Sequence, residues 1–114
     1  MKKKNINVLE QSLFNLKNIK NSSYDFVFLS GALNLPVNYQ NNKIKDLIKN
    51  MYRISKEGIA INFLSTNATK INQNEFYLNP NQLLRFISQS FKYFILRHDY
   101  LEHDFTLLLF KKNR

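Results

Sequence analysis

The feature of this sequence that most restricts its fold is a pair of apolar runs, YDFVFLS and IAINFLS, separated by one amphipathic segment. Each run is apolar without strict alternation and lies beside a glycine, Gly31 or Gly58, which is typical of a strand covered on both faces of a sheet. Strand, helix and strand in this order predict a βαβ unit with a right-handed crossover and two parallel neighbouring strands. The sequence therefore predicts an α/β protein.

The segment between the two runs has the periodicity of a helix with one apolar face. Its apolar residues recur three and four positions apart; they are Ile44, Leu47, Ile48, Met51 and Tyr52. Asn41 or Asn42 is the predicted N-cap, because a side-chain oxygen there can accept an unpaired N–H of the first turn. We expect a helix over residues 43–54 whose apolar stripe faces the sheet.

A second helix is predicted after a polar loop over residues 66–76. In YLNPNQLLRFISQSF, Asn79 is the predicted N-cap and Pro80 the first helical residue. The predicted apolar stripe of this helix consists of Leu83, Leu84, Ile87 and Phe91.

Strands are predicted at both ends of the chain. Two apolar runs, residues 93–96 and 105–110, are joined by a short polar connection, and residues 6–9 predict a short strand followed by a polar tether. We expect one domain over residues 1–114, with an N-terminal strand and tether (1–22) and a larger part (23–114) that holds the βαβ unit, the second helix and the strand pair.

Composition limits the possible functions. The chain has no cysteine, which excludes disulfides, zinc–thiolate sites and a cysteine nucleophile. Its net charge of +9 would suit nucleic acid or an anionic membrane if the charge were clustered, but the lysines are scattered. MKKKNINV lacks a following apolar stretch like that of a signal peptide, and no run has transmembrane length. These features predict a cytoplasmic protein without a membrane partner, and nucleic-acid binding is a less favoured alternative.

The ordered motifs SGALN, INFLS, FYLNP and LRHDYLEHDF resemble class I S-adenosylmethionine-dependent methyltransferases, in particular a bacterial group that acts on small molecules or glycans. The similarity extends over about residues 5–111. It implies a partial Rossmann-like sheet that is mostly parallel, has an antiparallel last strand and lacks the first βαβ unit. It also implies that residues 105–110 insert between the strands at residues 59–65 and 93–96.

The resemblance implies a cofactor and a set of site residues. The cofactor would be S-adenosylmethionine, contacted by Ser12, Ser30 and Gly31; Ser12 occupies the position where the family commonly has an Asp near the adenine. The family's glycine-rich turn and its ribose-binding acid have no counterpart in the sequence, so a truncated methyltransferase is expected, inactive alone and completed by a separately encoded N-terminal half or by self-association. No catalytic residue is identified.

Four further residues are candidates for contact with a small-molecule or glycan-related methyl acceptor: Asn34, Asn62, His98 and Asp99. Each has a structural alternative. Ser30, Gly31 and Asn34 could form a turn at a strand end, and Asn62 could clamp the backbone. The two His-Asp pairs of LRHDYLEHDF could form a corner between the last strands, which we favour over a metal site because the ligand spacing is loose.

Three functions follow from the sequence. The first is a methyltransferase-family fragment that acts with a separate half. The second is a non-enzymatic interaction module that uses an exposed sheet edge. The third is a basic nucleic-acid-binding protein, which would show a steep dependence of affinity on salt.

Overall fold

The structure is a computed structural model that describes residues 16–31 and 35–112. Its elements, in chain order, are a 3₁₀ helix η1 (Leu16–Asn18), β1 (Tyr24–Ser30), α1 (Asn41–Ile54), β2 (Ser55–Ser65), β3 (Tyr77–Leu78), α2 (Pro80–Ser90), β4 (Tyr93–Arg97) and β5 (Asp104–Phe110). The strand predicted at residues 6–9 lies outside the described residues. In the described part, no helix has the length and apolar character needed to cross a membrane.

The strands form one sheet in the order β1-β2-β5-β4, and the two-residue strand β3 also pairs with β2. Strands β1 and β2 are parallel, and α1 connects them. Strand β5 is antiparallel to both β2 and β4. The predicted parallel neighbours and the predicted insertion of the last run between two earlier strands are therefore confirmed.

The predicted class of sheet, a mostly parallel Rossmann-like sheet, is wrong. The sheet is mixed: β1–β2 is the one long parallel pair, β3 adds a two-residue parallel contact, and the pairs that involve β5 are antiparallel. The cause is the short connection over residues 98–103, since a parallel return from β4 would need a crossover of about a dozen residues or more. Because β5 lies inside the sheet, it has two neighbours and both of its ladders are antiparallel. The same strand at an edge of the sheet would form only one antiparallel ladder.

Helix α1 packs on the sheet through its apolar stripe, as predicted. Ile44, Leu47, Ile48 and Met51 are all buried. The predicted N-cap is wrong: the cap is Gln40, which makes no side-chain capping bond, and both candidate asparagines lie inside the helix.

Helix α2 begins as predicted. The Asn79 side chain accepts hydrogen bonds from the backbone N–H groups of Asn81 and Gln82, and Pro80 occupies the first turn. Of the predicted stripe, Leu83 and Ile87 are buried in the core, whereas Leu84 is exposed.

The core lies on one face of the sheet. Both helices contribute to the same buried cluster; its members from the sheet include Ile59, Ile61, Phe63, Phe105, Leu107 and Leu109. On the opposite face, which we call the open face, Phe28 is 74% exposed and Ile95 is 47% exposed. The prediction that the first strand is covered on both faces is therefore wrong for the described residues, because their helices all pack on the same side.

Candidate functional site

Polar side chains cross three strands where the parallel pair β1–β2 ends. Ser30 and Asn62 are register partners, and the Ser30 hydroxyl donates a hydrogen bond to Asn62 Oδ1 at 3.2 Å. Asn62 Nδ2 donates to Asp104 Oδ2 at 3.0 Å, and His103 Nε2 lies 3.7 Å from Asp104 Oδ1. We call Ser30, Asn62, Asp104 and His103 the polar row.

The strands explain this arrangement. Side chains alternate between the faces of a strand, so Asn62 points to the open face while its neighbours Ile61 and Phe63 are buried in the core. Asp104 begins β5 and is the register partner of Leu64, which places its carboxylate within reach of the Asn62 amide. A half-buried amide inside a strand needs hydrogen-bond partners. Ser30 is the partner of its oxygen and Asp104 is the partner of its nitrogen.

The exposure of the polar row leaves it accessible from solvent. The Asp104 side chain is 19% exposed and that of His103 is 50% exposed. An ionised carboxylate has about four acceptor positions, so Asp104 can accept a bond from a bound hydroxyl or amine in addition to the one from Asn62. The row can therefore bind and orient a small group that donates a hydrogen bond.

Gly31 has a steric role. A Cβ atom there would lie 2.7 Å from the backbone oxygen of Asn62 and 3.1 Å from side-chain atoms of Leu35 and Phe63. Glycine is needed where two backbones approach this closely. This contact supports the turn alternative for Gly31 and fixes the position of Ser30 beside Asn62.

His98 holds a corner on the core side of the sheet. Its Nε2 lies 2.8 Å from Ser65 Oγ, and its ring stacks on Phe105 with centroids 5.9 Å apart. Ser65 is buried and its Oγ accepts the N–H of Asn67. The structure therefore separates His98 from Asn62, because Phe105 belongs to the core face.

Asp99 is an exposed partner of Arg97. Arg97 Nη2 lies 3.0 Å from Asp99 Oδ2, and this hydrogen bond holds the pKa of the Asp99 carboxyl below its usual range. With His98 it lines an open depression of about 670 Å³. Within the described residues no group of three or more His, Asp or Glu side chains could hold a metal ion.

Two predicted site residues, Ser12 and Asn34, lie outside the described residues. Asp104 and His103 were considered only as one of the two His-Asp pairs, and their place beside Asn62 was missed. The sequence contained a signal for this contact. The predicted strand order places residues 105–110, which follow Asp104 directly, beside the strand that contains Asn62. The described candidates for cofactor contact, Ser30 and Gly31, both lie against Asn62.

Comparison with known proteins identifies a similar fold. No protein-family model matches the chain, and no curated protein matches it. Among solved structures, a possible exported protein from Bordetella parapertussis is similar with a TM-score of 0.67 and 13% sequence identity. The match covers 90% of this chain but only 43% of the Bordetella protein, so the chain is similar in fold to somewhat less than half of that larger protein.

Proposed function

We propose that this chain is one part of a two-part S-adenosylmethionine-dependent methyltransferase and that it supplies the side of the site that binds the methyl acceptor. The observation that carries the proposal is the strand order β1-β2-β5-β4, the order that the motif resemblance implies. The ordered sequence motifs and the polar row also support it.

The position of the polar row supports the role in acceptor binding. Ligands of α/β sheets commonly bind beyond the carboxyl ends of parallel strands. Ser30 ends β1, and its register partner Asn62 is the last residue of β2 that pairs with β1. Asp104, held by Asn62 at 3.0 Å, can accept a hydrogen bond from a hydroxyl or amine of the acceptor. S-adenosylmethionine would supply an activated methyl group, so the contribution of these residues is orientation of the nucleophile.

The proposed second polypeptide would hold the cofactor. In the Bordetella protein, the part that is similar to this chain accounts for 43% of the length. A fold of this kind can therefore occur together with further polypeptide, which supports the proposal of a second part. The expected cofactor affinity of the purified chain is therefore very weak, and the complex should bind the cofactor.

Equilibrium dialysis with labelled S-adenosylmethionine tests the proposal. We expect no micromolar binding by the purified chain, and binding and methyl transfer once the chain is combined with a polypeptide encoded beside it that carries a glycine-rich βαβ half. The variant Asn62→Leu in that complex should retain cofactor binding and raise the KM for the acceptor. Micromolar cofactor binding by the chain alone, or no methyl transfer by any such complex, would contradict the proposal.

A further inference from the structure

The open face carries apolar side chains in register across the whole sheet. One row runs through Phe28, Ala60, Leu108 and Ile95, one residue from each of the four long strands. Two residues further from the polar row, Phe26 and Tyr93 lie at the two ends of a second row. The open face is thus apolar at one end and polar at the other.

The apolar rows are exposed at the outer strands, at Phe26 and Phe28 of β1 and at Ile95 of β4, and half-buried at most positions between them. The buried cluster and the side chains packed against it include Val27 of β1 and Phe94 of β4 but neither Phe28 nor Ile95. Phe28 is 74% exposed and stacks on Phe26, with ring centroids 6.2 Å apart. Large apolar side chains that are exposed together on one face of a sheet favour an interaction site over a purely solvated surface.

The size of this surface indicates what can cover it. Three strand spacings of about 4.8 Å give a width of about 14 Å, and the two rows are roughly 7 Å apart. One α-helix, about 10–12 Å in diameter, spans both rows. A stable interface between two protein copies needs about 800 Å² from each partner, which is larger than two short rows of side chains provide.

Charge favours a partner of the opposite sign. The chain carries a net charge of +9, so two copies repel each other. Lys92 lies at one corner of the open face, with its Nζ 5.6 Å from the centre of the Tyr93 ring. Acidic residues on an incoming helix would be attracted by the excess positive charge, and this attraction would accelerate association.

We propose that the open face is a docking surface for an amphipathic α-helix of another polypeptide, with its apolar stripe on the Phe28–Ile95 row and acidic residues on its flanks. This inference does not depend on methyl transfer, because it uses only the exposure, shape and charge of the sheet. It also assigns the interaction to the face of the sheet instead of its edge.

A designed peptide tests the proposal with the full chain. The probe is a fluorescein-labelled amphipathic helix of about 18 residues with a leucine face and glutamate flanks, and the matched probe has lysine in place of glutamate. Fluorescence anisotropy should show saturable binding of the acidic probe at least about tenfold tighter than that of the basic probe. The difference should shrink as salt is added, because the flanking charges are exposed.

Paired variants locate the binding surface. Phe28→Ser combined with Ile95→Ser should weaken binding of the acidic probe roughly tenfold or more. Ile71→Ser is the matched control, since Ile71 is similarly exposed, at 52%, but lies in the loop before β3, and it should bind like the unmodified chain. Circular dichroism should show the same secondary structure in all variants, because each change is on the surface.

Three results would overturn the proposal. The first is equal affinity for the two probes, and the second is unchanged binding in the Phe28→Ser, Ile95→Ser variant. The third is a concentration-dependent dimer in sedimentation velocity that this variant abolishes, because the open face would then bind a second copy. Cofactor dialysis is a separate measurement, so failure of this inference and failure of the proposed methyl transfer are distinguishable.

Discussion

Exchanging the two side chains at the centre of the polar row tests whether their hydrogen bond stabilises the sheet. In Asn62→Asp, the Nδ2 donor to Asp104 Oδ2, now at 3.0 Å, is replaced by a carboxylate oxygen. A hydrogen bond to a charged acceptor contributes about 1.5–3 kcal/mol. Two carboxylates whose charges lie about 4 Å apart repel by about 1–4 kcal/mol near a protein surface. Because Asp104 is 19% exposed, hydration offsets part of this, and we expect a loss of about 2–4 kcal/mol in unfolding free energy.

The double variant Asn62→Asp, Asp104→Asn restores one amide and one carboxylate in reversed positions. The Ser30 hydroxyl can still donate to the residue at position 62, as it does to Asn62. We therefore expect the double variant to recover most of the lost stability, with Asn62→Leu as a control that removes the hydrogen bonds without adding charge. Urea unfolding at neutral pH measures these differences, and a 3 kcal/mol loss moves the midpoint by roughly 1–3 M. Additive losses in the double variant would refute the pairing of these side chains.

Three further changes test other parts of the structure. Gly58→Ala should prevent stable folding, because the added Cβ would collide with the backbone oxygen of Leu109 across the β2–β5 ladder; a normal urea transition would contradict the close approach. Arg53→Met should cost about 1.5–3 kcal/mol and expose η1 to hydrogen exchange, because the Arg53 guanidinium donates to two backbone carbonyls of residues 16–19; unchanged exchange there would refute this anchoring role. Asn79→Ala should lower thermal stability by about 1 kcal/mol through loss of the α2 cap, whereas Asn79→Ser should retain most of it, and equal melting temperatures for the two variants would argue against capping.

Much of the fold was predictable because local patterns determine it. The apolar stripe of α1 and the Asn79-Pro80 start of α2 are short-range signals, and both appear in the structure. The order of the strands came from the motif resemblance. The class of sheet was wrong although the insertion of residues 105–110 between two strands was expected. An inserted antiparallel strand makes the ladders to both of its neighbours antiparallel, which leaves β1–β2 as the one long parallel pair in the described residues.

The site was only partly predictable, because it depends on the face to which each side chain points. Ser30 and Asn62 meet where the parallel pairing of β1 and β2 ends, although the sequence assigned Ser30 to the cofactor and Asn62 to the methyl acceptor. His98 was grouped with Asn62 as a candidate contact of the methyl acceptor, but His98 stacks on Phe105 on the core side. The face of His98, which follows β4, depends on the register between β4 and β5, and a single sequence does not specify that register.

The junction between α1 and β2 links the rotation of a helix to the register of a strand. Ile54 ends α1 and Ser55 begins β2 with no residue between them, and Ser55 is tied back to the Tyr52 carbonyl through both its N–H and its hydroxyl. A shift of β2 by one residue would exchange the side chains on its two faces. Because no residue separates the strand from the helix, the same shift would rotate α1 by about 100° about its axis. The register of β2 and the rotation of α1 about its axis are therefore specified together. The two elements reach their native packing cooperatively and not independently.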